Sequence, residues 1–188
     1  MVGKLVAAIP MPPFVKRRTA EIAAFVLMSV ACAIVAALVT YHADDPSWNH
    51  ASAEPVRNAL GLMGASIADM LKQTFGWMSA LIVAACFGWS WRLLLKDETM
   101  RWAWRVLALL VCLIGGTTLL ALLTAATNAP FLTSASGALG VVIGVQLIPH
   151  LGNWGLGIAS ALVFLATLPI ALGIKFHEWL AVWLTLQQ

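Results

Sequence analysis

The sequence predicts an all-α membrane protein: four transmembrane helices as two tandem hairpins, each with a short interfacial or re-entrant helix on the outer side. Three observations carry this prediction. Of the 188 residues, 61% are hydrophobic and 10% charged, with a mean hydropathy of +0.90; a soluble domain is about 45–50% apolar and about 25% charged. Four apolar runs are long enough to cross a bilayer, since about twenty helical residues at about 1.5 Å each span roughly 30 Å. The eleven Lys and Arg fall in short clusters between those runs rather than over a surface, which is a topology signal before it is a nucleic-acid signal.

Residues 1–19 carry Lys4, Lys16, Arg17 and Arg18 with Pro10, Pro12 and Pro13, and read as a flexible basic arm. The twenty residues from Ile22 to Tyr41 exceed a signal-peptide core and form the first span. The second is expected over 74–91, ending at Arg92. The third, over 106–126, is entered through Trp102, Trp104 and Arg105. The fourth covers 154–173, with Pro169 placed to kink it. The membrane domain is thus expected over 20–174, with outer loops at 42–73 and 127–153. Residues 175–188 form a tail in which Phe176, Trp179, Leu180 and Trp183 share one helical face suited to the membrane surface.

Charge orients the spans. Nine of the eleven basic residues fall in the N-terminal arm, the 92–105 segment or the tail; Arg57 and Lys72 lie between spans one and two. The positive side is cytoplasmic, so both termini are expected inside. Lys16, Arg17, Arg18, Arg92, Arg101 and Arg105 are read as topology anchors that also meet anionic lipid, at about 1 kcal/mol per charge near the surface. Trp89, Trp91, Trp102 and Trp104 bracket the inner boundary, and Trp77 and Trp154 mark the outer one.

The chain also repeats itself. Gly61, Gly64 and Gly76 recur as Gly137, Gly140 and Gly152 at a constant offset of 76 residues. LGLMGASIADMLKQTFGW matches SGALGVVIGVQLIPHLGNW in pattern, so each half reads as a short apolar helix, a glycine and a span. The short helices, about 60–73 and 137–149, are below spanning length. Gly61, Ala65 and Ala68 in one, and Gly140 and Gly144 in the other, offer small-residue faces for close helix approach, within the chain or between copies.

The first span is followed by YHADDPSWN. Tyr41 sits at headgroup level, and Asp45-Pro46-Ser47-Trp48 has the composition of a type I turn. As a string, YHADDPSWNHAS resembles the first outer loop of the bacterial DNA translocases of the FtsK/SpoIIIE family. The resemblance runs on through Glu54-Pro55-Val56-Arg57-Asn58, Gly61, Gly64-Ala65, Ala68-Asp69 and Gly76, and resumes at Gly137, Gly140 and Leu147. It implies a membrane domain that anchors a cytoplasmic hexameric motor for double-stranded DNA at the division septum of the bacterial inner membrane. Self-association follows as an expectation, six copies being suggested by the motor, as do contacts with other cell-division membrane proteins. ATP and Mg²⁺ belong to the motor, and DNA would be met only through it. These 188 residues contain no GxxxxGK[ST], so the sequence reads as the membrane domain alone, an expressed fragment expected neither to hydrolyse ATP nor to move DNA.

The chemistry that remains is sparse. Cys32, Cys86 and Cys112 sit in apolar runs without paired or ligand spacing. His42, Asp44, Asp45, His50 and His150 match no metal-ligand pattern, and His177-Glu178 is not completed to HExxH because residue 181 is alanine. Neither a catalytic, a cofactor nor a metal site is expected. No ionisable residue falls in the middle of an expected span, which disfavours the alternative of a small multi-pass transporter or pore, and no nucleophile–base pair supports a membrane enzyme. Tyr41, Asp45, Pro46, Trp48, Gly61, Gly64, Gly140 and Gly144 are the candidate interaction residues.

Overall fold

The computed structural model describes residues 12–95, 102–127 and 135–174. Lys4, Lys96, Arg101 and the amphipathic tail 175–188 lie outside the described residues. All described elements are helical: α1 Pro13–Val39, α2 Gly61–Phe75, α3 Ser79–Leu94, α4 Trp102–Thr127 and α5 Gly137–Leu172. One 3₁₀ turn, Gly76–Met78, joins α2 to α3. Four helical stretches are long and apolar enough to cross a membrane: Phe14–Val39, Gly61–Leu94, Trp102–Thr127 and Gly137–Leu172.

The first helix begins well before Ile22, so residues 13–19 are helical rather than part of a flexible arm. Proline at the first helical position needs no N–H partner and brings its φ already set. Glu21 then accepts hydrogen bonds from Arg17 (2.9 Å) and Arg18 (2.8 Å), at i,i+4 and i,i+3 spacing. At the other end Thr40 terminates the helix, its N–H and hydroxyl both donating to the Ala36 carbonyl. Ile22, Phe25, Val26 and Val30 remain exposed along α1, as expected of a helix whose solvent is hydrocarbon.

The four spanning stretches alternate in direction, and side chains show which ends meet. Ser90, late in α3, donates to the Ala24 carbonyl, early in α1 (2.7 Å). Trp89 Nε1–H donates to the Ala171 carbonyl, late in α5 (2.7 Å). Arg105, early in α4, lies beside Gly173. Early α1, late α3, early α4 and late α5 therefore share one end, the basic end, and the polypeptide crosses to the opposite, loop end between them.

Ala85, Trp89, Ala108, Leu109, Cys112, Leu113 and Ala171 form the core cluster, closed by Leu27, Phe75, Met78, Leu81, Ile82, Phe164 and Leu168. Small residues set the helix spacing: a methyl group at Gly115 would press on the Ser160 carbonyl and the Phe164 N–H, and one at Gly88 on the Leu172 carbonyl. Without a hydrophobic force between helices in lipid, such close backbone contact is what associates them.

The repeat is visible in the backbone. Gly61 and Gly137 open α2 and α5 at φ 65° and 64°; Gly76 and Gly152 break the two stretches at φ 57° and 68°. Gly152 combines φ 68° with ψ 167°, a conformation essentially confined to glycine, so α5 is two helices meeting at an angle rather than one rod. The halves meet where Gly76 and Gly137 face each other. Trp77 N–H donates to the Ala135 carbonyl (2.8 Å), and Gly76 and Gly137 pack main chain to main chain.

Candidate functional site: the polar network at the loop end

Two buried polar side chains organise residues 40–60, and both lie outside the candidate interaction residues named from the sequence. Asn58, 4% exposed, donates through Nδ2 to the carbonyls of Ala37 (2.8 Å) and Thr40 (3.3 Å), while its Oδ1 accepts the Leu60 N–H (3.1 Å). It thereby satisfies orphan carbonyls at the end of α1 and an orphan amide at the start of α2. The Thr40 hydroxyl adds an acceptor for the Ala59 N–H (3.1 Å). Gly64 makes this possible, because a side chain there would overlap the Asn58 carboxamide.

Asp69, 6% exposed on α2, is the second centre. Its carboxylate accepts from the Ser47 hydroxyl (2.6 Å), from Gln73 Nε2 (2.8 Å) and from the Tyr41 hydroxyl (3.3 Å). Tyr41 donates to it as a neutral phenol, the ordinary state of the group at physiological pH. Three donors on one carboxylate offset the cost of burying it.

Asp45 joins the network from the loop. It is 4% exposed and accepts the backbone N–H groups of Arg57 (3.0 Å) and Asn58 (2.9 Å). The expected type I turn over 45–48 does not form. Hydrogen-bonded turns close instead over His42–Asp45 and Ser47–His50, the latter reinforced by the Ser47 hydroxyl accepting the His50 N–H (3.1 Å). A buried carboxylate gains more from two amide donors than from initiating a local turn. Pro46 is half-buried between the two turns. Trp48 stands 64% exposed on top of them.

The remaining candidates separate clearly. Gly140 is buried on α5, its α-carbon against the Thr117 carbonyl of α4, so its small size serves packing inside the chain. Gly144 is buried with no atom of another helix close to it, and Gly61 faces open space. Of the basic anchors, Lys16, Arg17 and Arg18 are exposed at the start of α1 and Arg92 is half-buried at the end of α3. Arg105 is 5% exposed, with its guanidinium over the Trp102 ring at 5.6 Å from the centroid; its charge is turned inward and does not face a lipid surface. Among the described residues no three His, Cys, Asp or Glu side chains come together as metal ligands.

One sequence signal did point to the missed centres. Asp69 is the lone acid in the apolar segment 60–71, and a solitary carboxylate on such a helix must find donors. Ser47→Ala is expected to lower stability by about 1 kcal/mol, measured as a shift of the unfolding midpoint in mixed micelles, because it removes a donor to Asp69. Trp48→Ala, one residue on, should move that midpoint within about 0.5 kcal/mol.

Residues 16–185 match the family model described as the 4TM region of DNA translocase FtsK/SpoIIIE. The chain belongs to this family. Among curated relatives, the DNA translocase FtsK of Azospirillum brasilense is 29% identical over 174 residues, 89% of this chain and 28% of the relative. The DNA translocase FtsK of Rickettsia typhi is 34% identical over 127 residues, 65% of this chain and 16% of the relative. That of Brucella suis is 34% identical over 148 residues, 76% of this chain and 17% of the relative. The chain thus corresponds to the membrane region of these FtsK proteins and spans less than a third of their length. No solved structure matches it.

Proposed function

We propose that this FtsK-family region is a membrane-anchoring, self-associating and septum-targeting domain of a DNA translocase acting in cell division and chromosome segregation. The supporting observation is the loop end. Buried Asp45, Asn58 and Asp69 tie down a short segment that presents Trp48 and Arg57 to the outside. An exposed aromatic is the residue type around which protein contacts concentrate their energy.

The same reading places the basic end in the cytoplasm and the loop end on the far side of the bacterial inner membrane, because Arg17, Arg18 and Arg92 gather at one end. Partners are then further copies of this domain and other division proteins with extracytoplasmic segments, with anionic lipid at the basic end. These residues carry no step of ATP hydrolysis; ATP and Mg²⁺ are assigned to the motor of the full-length translocase, and DNA is met there.

A fluorescent fusion tests the proposal. The unaltered domain should gather at the division site, and Trp48→Ala should spread it around the membrane at equal abundance and unchanged melting. Septal gathering that persists in Trp48→Ala and in a deletion of 42–50 would overturn it.

A further inference from the structure

The junction between the two repeats forms an open pocket of about 500 Å³ at the loop end, lined in part by Tyr41, Lys72, Gln73, Trp77, Val141 and Val142. Its two walls differ in character. Lys72, in the last turn of α2, supplies donors on one side, beside Gln73, whose amide is given to Asp69. Val141 and Val142, exposed on α5, and Trp77, exposed on the turn between α2 and α3, supply an apolar wall on the other. The nearest acid on the same helix, Asp69, is already occupied by Tyr41, Ser47 and Gln73. Among the described residues Lys72 takes part in none of the ion pairs, which join Arg17 and Arg18 to Glu21 and Arg57 to Glu54.

We propose that this pocket is a binding site for one glycerophospholipid, its phosphate on Lys72 and its first acyl carbons along Val141 and Val142. Charge complementarity selects the occupant. A half-buried lysine outside the ion pairs can take an anion, and the adjoining valines call for hydrocarbon continuous with the bilayer. A phospholipid at the membrane boundary carries both in the required order, and the volume lies within the usual range for a small-molecule site, about 300–1,000 Å³. Trp77 and Tyr41 flank the headgroup level, where amphipathic aromatic rings reside. The site lies at the opposite end from the exposed Lys16, Arg17 and Arg18, so it is separate from the lipid contacts of the basic end. A lipid seated there touches both repeats and would brace the joint formed by Trp77 and Ala135.

Native mass spectrometry of the full chain tests this after reconstitution in vesicles of equal parts phosphatidylethanolamine and phosphatidylglycerol and mild detergent extraction. The unaltered protein should retain one phospholipid per chain. Lys72→Glu should reduce the retained fraction about tenfold, the loss expected for one charge-assisted contact, and Lys72→Arg should preserve it. Val142→Glu, which places a carboxylate in the acyl wall, should reduce retention without touching the headgroup donors, while Arg57→Ala, at the same end, should leave it unchanged. Retention that is equal in Lys72→Glu and the unaltered chain would overturn the proposal, as would equal losses in Arg57→Ala and Lys72→Glu. Disulfide-linked dimers from Val142→Cys in a Cys32→Ser background would also overturn it, since a second copy would then cover the pocket.

Discussion

Gly76→Ala is expected to destabilise the domain by about 3 kcal/mol or more, whereas Gly61→Ala, at nearly the same φ, costs about 1 kcal/mol. Both residues adopt a left-handed φ, 57° and 65°, so both substitutions carry the conformational penalty of an L side chain there. Only at Gly76 does the added methyl also meet main chain: the Ala135 carbonyl and the Gly137 N–H of the second repeat. At Gly61 nothing lies within 4 Å. Main chain cannot rotate away as a side-chain tip can, so the Gly76 variant must separate the halves and lose the Trp77–Ala135 hydrogen bond. The difference between the two variants reports the clash at the joint together with the more demanding backbone of Gly76, whose ψ is −131°. It can be read from unfolding in mixed micelles titrated with a denaturing detergent. Equal losses would show that the joint contributes nothing.

Asn58→Leu is the second large expected effect, a loss of about 2–4 kcal/mol. The substitution keeps approximate volume but removes two donated bonds and one accepted bond at a buried site. The carbonyls of Ala37 and Thr40 and the Leu60 N–H would then be left without that partner at the ends of α1 and α2. Asn58→Asp separates the contributions: it retains an acceptor for Leu60 N–H but sets a negative charge against the two carbonyls, so it should be at least as harmful. Protease accessibility of 42–58 in reconstituted vesicles should rise in both variants, and unchanged accessibility would show that Asn58 does not order the loop.

The features legible in the sequence were those set by composition and interval. Four spans follow from hydropathy because an apolar helix in lipid needs no partner to be recognised. The repeat followed from glycines at one offset, and it is the glycines that take matching backbone conformations. What escaped depended on competition between sites distant in the chain. Asp45 looked like the first residue of a turn by local preference, yet amides twelve and thirteen residues away hold it. Asn58 and Asp69 were read for family likeness rather than for the bonds they make. Arg105 reads as a boundary charge because its burial beside Gly173 arises only when α4 meets the end of α5. The start of α1 falls inside the stretch read as a flexible arm, because proline at a helix N-terminus is a starter.

The joint between the repeats has a consequence for divergence. It is made of amides, carbonyls and α-carbons, atoms that every residue carries, and its only demand on side chains is that glycine stand at 76 and 137. At this joint the two hairpins can therefore differ in side chain, as Val145 standing where Asp69 stands in the other half illustrates, whereas the Trp89–Ala171 hydrogen bond and the shared core tie them through particular side chains. The first hairpin carries a hydrogen-bonded cap on Asp69, and the matching position of the second is apolar.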